Sequence, residues 1–399
     1  MPNKNRTSLV IIFLTIFIDL MGFGILIPLL PGFAITIGMS DFQIGMTVAV
    51  FSLMQFLFNP VLGRISDRIG RRPMILIPQM LSVIGYLMFS FSHSFLLLFI
   101  SRMIGGLGGS NIAVAQAYIA DITTKEERSK GMGVIGAAFG LGFVFGPLLG
   151  AFLSKYGYAV AGFGSASFSF MAFLFTLIKL PESLHEKKTE SKLNIKIFDL
   201  RYTKKTISHP DLGILMLLFF IIIFSMANIF GTFPILGVKL YHFTGQDNGM
   251  MFGIMGIISS AVQGGFIRKL SKWLGEKGLV LFGSILMMVG LGMLPYGQNF
   301  LGVAIVMGIY AVGSATLQPT ILSMISKHSP DNEHGAVLGL NQSFSSFARV
   351  LGPLWGGFSF DFFGYQFPFL TGAFFTLVAF LLTYRYLRSE KKSKVVNDV

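Results

Sequence analysis

The 399-residue chain has no cysteine, which excludes disulfides and thiol chemistry and leaves its redox compartment unreadable from cysteine usage. Charge is also scarce. Asp, Glu, Lys and Arg make up 12% of the residues, against about 25% in an ordinary soluble domain. Only 18 residues are acidic, and no His, Asp or Glu grouping has the spacing of metal ligands. No nucleophile–base pair stands out, and no glycine loop suited to cradling a phosphate. The run Gly105-Gly106-Leu107-Gly108-Gly109 lies inside an apolar stretch and reads as packing. These absences point away from an enzyme, a resident metal and an organic cofactor.

What the chain does have is apolar length. Its residues are 53% hydrophobic, with a mean hydropathy of +0.70. Runs such as Leu9–Ile18, Phe95–Ile100 and Leu215–Phe224 are apolar on every side, as membrane spans or deeply buried helices are. About 20 apolar residues cross a bilayer. The pattern predicts twelve spans, at 8–33, 42–62, 74–92, 95–121, 130–153, 158–179, 211–236, 246–267, 278–296, 300–326, 335–360 and 366–387. The first is read as a span rather than a cleaved leader, because its apolar run continues to about Gly32 without a small-residue cleavage site.

The placement of basic residues sets the expected topology. With the N-terminus cytoplasmic, 27 of the 31 Lys and Arg residues fall in inner segments, and only Lys155 and Lys239 fall outside. Both termini are therefore expected in the cytoplasm. The net charge of +13 follows from this loop bias and does not indicate nucleic acid. One long hydrophilic stretch, 181–209, divides the chain into an N-terminal six-helix bundle (1–180) and a C-terminal one (210–399), and its basic residues suit an anionic inner leaflet. The halves echo each other. Gly133, Gly142, Gly146, Pro147 and Gly150 of span 5 recur, 206 residues on, as Gly339, Ala348, Gly352, Pro353 and Gly356 of span 11. Repeats of six spans indicate a transporter with its substrate site between the halves near the midplane.

These residues carry a resemblance. Gly63-Arg64-Ile65-Ser66-Asp67-Arg68-Ile69-Gly70-Arg71-Arg72 resembles the signature loop between spans 2 and 3 of the major facilitator superfamily. Arg102 with Gly106 and Gly108 resembles its span 4 motif, and the glycine–proline series of span 5 resembles the motif of its antiporters. Span 1, from Asp19 to Gly24 with Pro28 and Pro31, is similar to that of twelve-span drug:proton antiporters, including tetracycline and multidrug efflux proteins. The resemblance implies an all-helical major facilitator fold and proton-coupled export by alternating access. It also implies a cytoplasmic latch in which Asp67 links to Arg68 and to Asp121 at the end of span 4.

Asp19 is the sharpest single residue. It lies about 11 residues into span 1, roughly 16 Å deep at 1.5 Å per residue. A charge there costs at least ~2.5–3.5 kcal/mol on insertion scales. Every other acid lies in a loop or at a span end, so Asp19 is the one deep side chain placed to carry a proton. Arg102, about two turns into span 4, is its candidate partner, and the resemblance gives that arginine a role in proton transfer. Gln55, Asn59, Gln116, Asn228, Gln263, Gln318, Asn341, Gln342 and Arg349 are candidate cavity-liners, each equally readable as interhelical glue.

Two departures narrow the resemblance. Tetracycline exporters carry further acids in spans 3 and 9, whereas the matching stretches here, Val83–Tyr86 and Gly283–Leu286, have none. The second-half copy of the loop motif, Arg268–Gly275, has Lys272 where the acid would stand, so any latch is expected to be asymmetric. The expected protein is a monomeric exporter of amphipathic or hydrophobic small molecules, embedded in lipid in a bacterial inner membrane, with protons as coupling ion and no cofactor. A proton symporter and a lipid, siderophore or metabolite exporter of the same fold are the alternatives.

Overall fold

The computed structural model describes residues 3–123, 128–184, 200–330 and 334–397. Among them there is helix and no strand. The helices are α1 (Asn3–Leu26), α2 (Leu30–Thr36), α3 (Asp41–Ile69), α4 (Pro73–Ser90), α5 (Phe95–Gly108), α6 (Ile112–Ile122), α7 (Arg128–Leu153) and α8 (Tyr158–Lys179). They continue with α9 (Leu200–Ile207), α10 (Pro210–Tyr241), α11 (Gly245–Ala261), α12 (Ile267–Met293), α13 (Phe300–His328), α14 (His334–Phe363) and α15 (Phe367–Asn397). Eleven stretches among the described residues are long and apolar enough to cross a membrane. The remaining expected span, 335–360, coincides with α14, a 30-residue helix made more polar by Asn341, Gln342, a group of serines and Arg349.

Two expected spans are broken. Span 1 is α1 and α2, separated by a turn at Ile27–Leu29. Span 4 is α5 and α6, joined by a 3-10 turn at Gly109–Asn111. A third difference concerns the signature loop. The helix α3 runs on through Ile69, so most of the stretch read as a loop is the last two turns of a helix. Only Gly70–Arg72 make the connection, and Gly70 has φ +126°, a conformation that favours glycine.

By packing, the chain forms two compact units. One comprises 1–197 and 237–253, the other 198–236 and 254–399. In the first, α1 is wedged between α7 and α8 by glycine. A Cβ on Gly146 would stand 2.7 Å from the Cα of Gly24, one on Gly142 2.7 Å from Leu20, and one on Gly150 2.5 Å from the Ile25 carbonyl. The Gly105–Gly109 run likewise lets α5 close on α3 and α4, where Gly106 meets the Phe51 backbone and Gly108 meets Ser82. Without a hydrophobic drive between helices in lipid, such close backbone contact is the main source of association.

The segment 237–253 also packs into this first unit. Lys239 Nζ lies 2.7 and 2.6 Å from the two carboxylate oxygens of Asp41, a residue only 3% exposed. Three glycines at four-residue spacing follow. Gly249 and Gly253 rest on Ala151 and Leu148 of α7, and Gly245 on Ser154 just past its end. In the second unit α12 and α13 close through Gly283, Gly290 and Gly313, and α14 closes on α10 through Gly352 and Gly356.

Candidate functional site

Asp19 is 8% exposed in the middle of α1. Its Oδ2 accepts a hydrogen bond from Asn111 Nδ2 at 2.8 Å, and its Oδ1 accepts one from Ser169 Oγ at 2.8 Å. Both partners arrive by local backbone devices. Asn111 sits in the 3-10 turn that interrupts span 4. Ser169 can approach because Gly22, one turn along α1, has no side chain; a Cβ there would stand 3.1 Å from Ser169 Oγ. The carboxyl is therefore held by two neutral donors on two other helices, and no ion pair joins it to a cation among the described residues. Neither Asn111 nor Ser169 stood out in the sequence, where both read as ordinary polar residues of apolar spans.

Arg102 is 5% exposed in α5. Its guanidinium lies over the ring of Phe51, 4.5 Å from the centroid, and that ring stacks on Phe23 at 4.8 Å. Its buried Nε has no hydrogen-bond partner among the described residues. The structure thus places Arg102 on an aromatic face and not against Asp19. Tyr86 of α4, 3% exposed, is the buried group within electrostatic reach of both.

The signature motif assembles around Arg71. Its Nη1 lies 2.6 Å from Asp67 Oδ1 and donates to Ser66 Oγ at 2.6 Å, while its Nε donates to Asp121 Oδ2 at 2.9 Å. The expected link from Asp67 to Arg68 is corrected. The helix α3 carries Asp67 and ends at Ile69, and the turn at Gly70 brings Arg71 back against it, so Arg71 is the partner of both acids. Burial opposes its charge, but the hydrogen bond and attraction of Asp121, then Asp67, outweigh it and hold the pKa of Arg71 above the ordinary arginine value. Gly63 supplies a carbonyl to Ser66 Oγ at 2.6 Å. Arg72 donates to the Leu177 carbonyl.

A residue that sequence reasoning missed completes the cluster. Glu182, just past α8, accepts from the backbone N–H of Arg71 at 2.9 Å and of Arg72 at 3.1 Å, capping the start of α4. Ser183 Oγ donates to Asp121 Oδ2 at 3.0 Å. The signal was a Glu-Ser pair directly after span 6, which read only as the start of the linker.

In the second unit, Gly275 has φ +68° and kinks α12. Glu276, just after it, pairs with Lys327 at 2.6 Å and accepts from Ser323 Oγ at 3.1 Å. Shifted by about 205 residues this is the Arg71–Asp121 pair with its charges exchanged.

Of the antiporter motif, Gly142, Gly146 and Gly150 pack on α1 from Leu20 to Ile25, and Pro147 lies beside Gly24. Gly133 lies in α7. The cavity candidates divide. Asn228 is fully buried and donates to the Pro368 carbonyl. Gln55 donates to the Gly109 carbonyl at 3.0 Å. Asn341 is buried, Asn59 and Gln318 are half-buried, and Gln116, Gln263 and Gln342 are exposed. Arg349 is half-buried and donates to Ser346 Oγ at 3.1 Å.

With this geometry in hand, three comparisons bear on identity. The profile of the Major Facilitator Superfamily matches residues 12–353 and 270–398. The chain is 29% identical to Multidrug resistance protein 2 of Bacillus subtilis (strain 168), over 99% of each chain. It is 29% identical to the class E tetracycline resistance protein of Escherichia coli, over 88% of this chain and 87% of that one. Among solved structures it resembles the human organic anion transporter MFSD10, with a TM-score of 0.69, 26% identity, and coverage of 96% of this chain and 100% of that one.

Proposed function

We propose that this protein, which belongs to the Major Facilitator Superfamily, exports amphipathic or hydrophobic small molecules in exchange for protons. The observation that carries the reading is Asp19, a buried carboxyl in a membrane-spanning helix held by Asn111 and Ser169 and, among the described residues, by no cation. Neutral donors tolerate both protonation states: they stabilise the carboxylate, yet no paired charge is stranded when a proton arrives. In the proposed cycle Asp19 takes a proton from outside and releases it inside while substrate moves outward. Arg102 biases that titration. The Arg71 cluster stabilises the outward-open state, and with one deep acid one proton moves per cycle. The bacterial relatives named as multidrug and tetracycline resistance proteins support a cargo of drug-like molecules.

Purified protein in proteoliposomes carrying a pH gradient, assayed with a panel of drugs and dyes, tests this. Wild type should move substrate against its gradient in the sense of export, and Asp19→Asn should not. Proton-driven transport by Asp19→Asn at the wild-type rate would refute the assignment. Movement of substrate with the proton rather than against it would establish the symporter instead. A second reading, export of organic anions, is favoured by the likeness to the human organic anion transporter.

A further inference from the structure

Two arginines lie within the spans, and their surroundings differ. Arg102 is sealed against Phe51 in a unit that also holds Asp19. Arg349 has no such company. It stands 15 residues from His334 and 14 from Phe363 in α14, so about 21–23 Å from either helix end at 1.5 Å per residue, near the bilayer midplane. Of the described acids of the second half, Asp211, Asp247 and Asp361 lie at helix ends and Glu276 at the Gly275 kink of α12. Among the described residues Arg349 makes no ion pair, and its one hydrogen bond is to Ser346 Oγ. That serine donates in turn to the Gln342 carbonyl at 3.0 Å. Ser346 and Gln342, three and seven residues before Arg349, share its helix face, and the Gln342 side chain is exposed.

A guanidinium at the midplane costs at least ~2.5–3.5 kcal/mol on insertion scales and does not face lipid. Its exposed part therefore meets water or a ligand. A guanidinium carries five N–H donors in a rigid planar fork, and one bond to Ser346 leaves most of that capacity unspent. Ser346 fixes the orientation of the fork without neutralising it.

We propose that Arg349, oriented by Ser346, is the recognition point for an oxyanion on the transported molecule, so that the substrate class is amphipathic carboxylates or sulfonates. The fork matches the two oxygens of such a group in a bidentate pair. The substrate then supplies the counter-charge that no described residue gives Arg349. The inference rests on the reading of the protein as a transporter of amphipathic small molecules, and adds the charge the cargo carries.

The test uses binding, so that a failure of proton coupling does not obscure it. Dansylglycine and dansylglycine amide share one apolar body and differ in a single negative charge. Their affinities are measured by fluorescence on the purified full-length protein. Wild type should bind the carboxylate at least about tenfold more tightly than the amide. Arg349→Gln should remove that preference and leave amide binding unchanged, and Arg349→Lys should retain part of it, because a point charge lacks the fork. Asp19→Asn should keep the full preference, so loss of transport in that variant and loss of selectivity in the other are separate results.

Equal binding of the two probes by wild type overturns the proposal, as does a carboxylate preference retained by Arg349→Gln. Loss of both probes by Arg349→Gln in a folded protein also overturns it, since that is a structural role. If Arg349→Gln does not fold, Gln342→Cys decides the matter, because the chain has no other thiol to react. Its modification by a charged methanethiosulfonate should be slowed by dansylglycine and not by the amide. Equal or absent protection contradicts the site.

Discussion

At the scale of the residue, the partners of Asp19 determine what each substitution should do. Asp19→Asn keeps the shape and both neighbours but removes the titrating group, so proton-driven transport should fall to the level of empty liposomes while substrate binding persists. Ser169→Ala and Asn111→Ala each remove one donor that favours the ionised carboxylate. Their transport should survive, with its pH profile displaced toward higher pH, which transport measured from pH 5 to 9 would show. An unchanged profile in both would mean that the hydrogen bonds only hold helices together. Asp19 itself was legible in the sequence because a lone acid in an apolar run is conspicuous. Its partners were not. Nothing in the order of residues says that Asn111 lies in a 3-10 turn, or that the missing side chain of Gly22 lets Ser169 in. Tyr86 was passed over for a similar reason, since an aromatic residue in a span reads as core.

At the scale of the element, the place where α3 ends explains what was corrected in the signature motif. The helix α3 ends at Ile69, and the turn at Gly70 places Arg71 as the hub joining α3, the start of α4 and the end of α6. Asp67→Asn and Asp121→Asn should each reduce transport without disturbing insertion. Glu182→Gln should do the same, because it weakens the cap on the 71–72 backbone. Transport by all three variants at wild-type rates would reduce the cluster to a topology signal. Arg71 keeps its charge above the ordinary arginine range. Its stabilising contribution is therefore present below that range and would be lost only on rising through a still higher pH, so alkaline conditions up to about pH 10 should leave the latch closed on the arginine side. Substituted-cysteine crosslinking between the ends of α3 and α6 across that range would check this.

Glycine packing belongs to the same scale. Gly146→Val puts a branched side chain where a single Cβ would already stand 2.7 Å from Gly24. Overpacking of this kind costs about 1–3 kcal/mol, and thermal unfolding of the purified variant should show a lowered midpoint. Most helices matched the apolar pattern to within a few residues. The breaks in spans 1 and 4 were not read, although Pro28 marks the first and Gly109-Ser110-Asn111 the second, because the apolar runs on either side dominate the pattern. The Lys239–Asp41 pair was also hidden. It joins residues 198 apart in the chain, and each alone reads as an ordinary charge at a helix end.

At the scale of the whole molecule, the sequence repeat carries through to the ion pairs. Arg71–Asp121 in the first half and Glu276–Lys327 in the second occupy corresponding places with opposite polarity. The second pair is the weaker of the two. Lys327 is 63% exposed while Arg71 is 8% exposed, and exposed pairs contribute at most about 1 kcal/mol. The expected asymmetry of the latch therefore lies in burial as well as in sequence. Legibility at this scale was high for fold class, because apolar length and basic-loop bias are summed over many residues and single errors average out. It was low for cargo, which depends on a few side chains. Arg349 stood in the sequence as an unplaced charge, and only the lack of a carboxylate partner among the described residues gives it a task.

The central claim is that one buried carboxyl couples proton entry to export. Simultaneous measurement of proton and substrate flux in proteoliposomes tests it most directly. Wild type should exchange one proton for each substrate molecule, and Asp19→Asn should show neither flux above empty liposomes. A stoichiometry of two or more, or a substrate-dependent proton flux that survives in Asp19→Asn, would contradict the account.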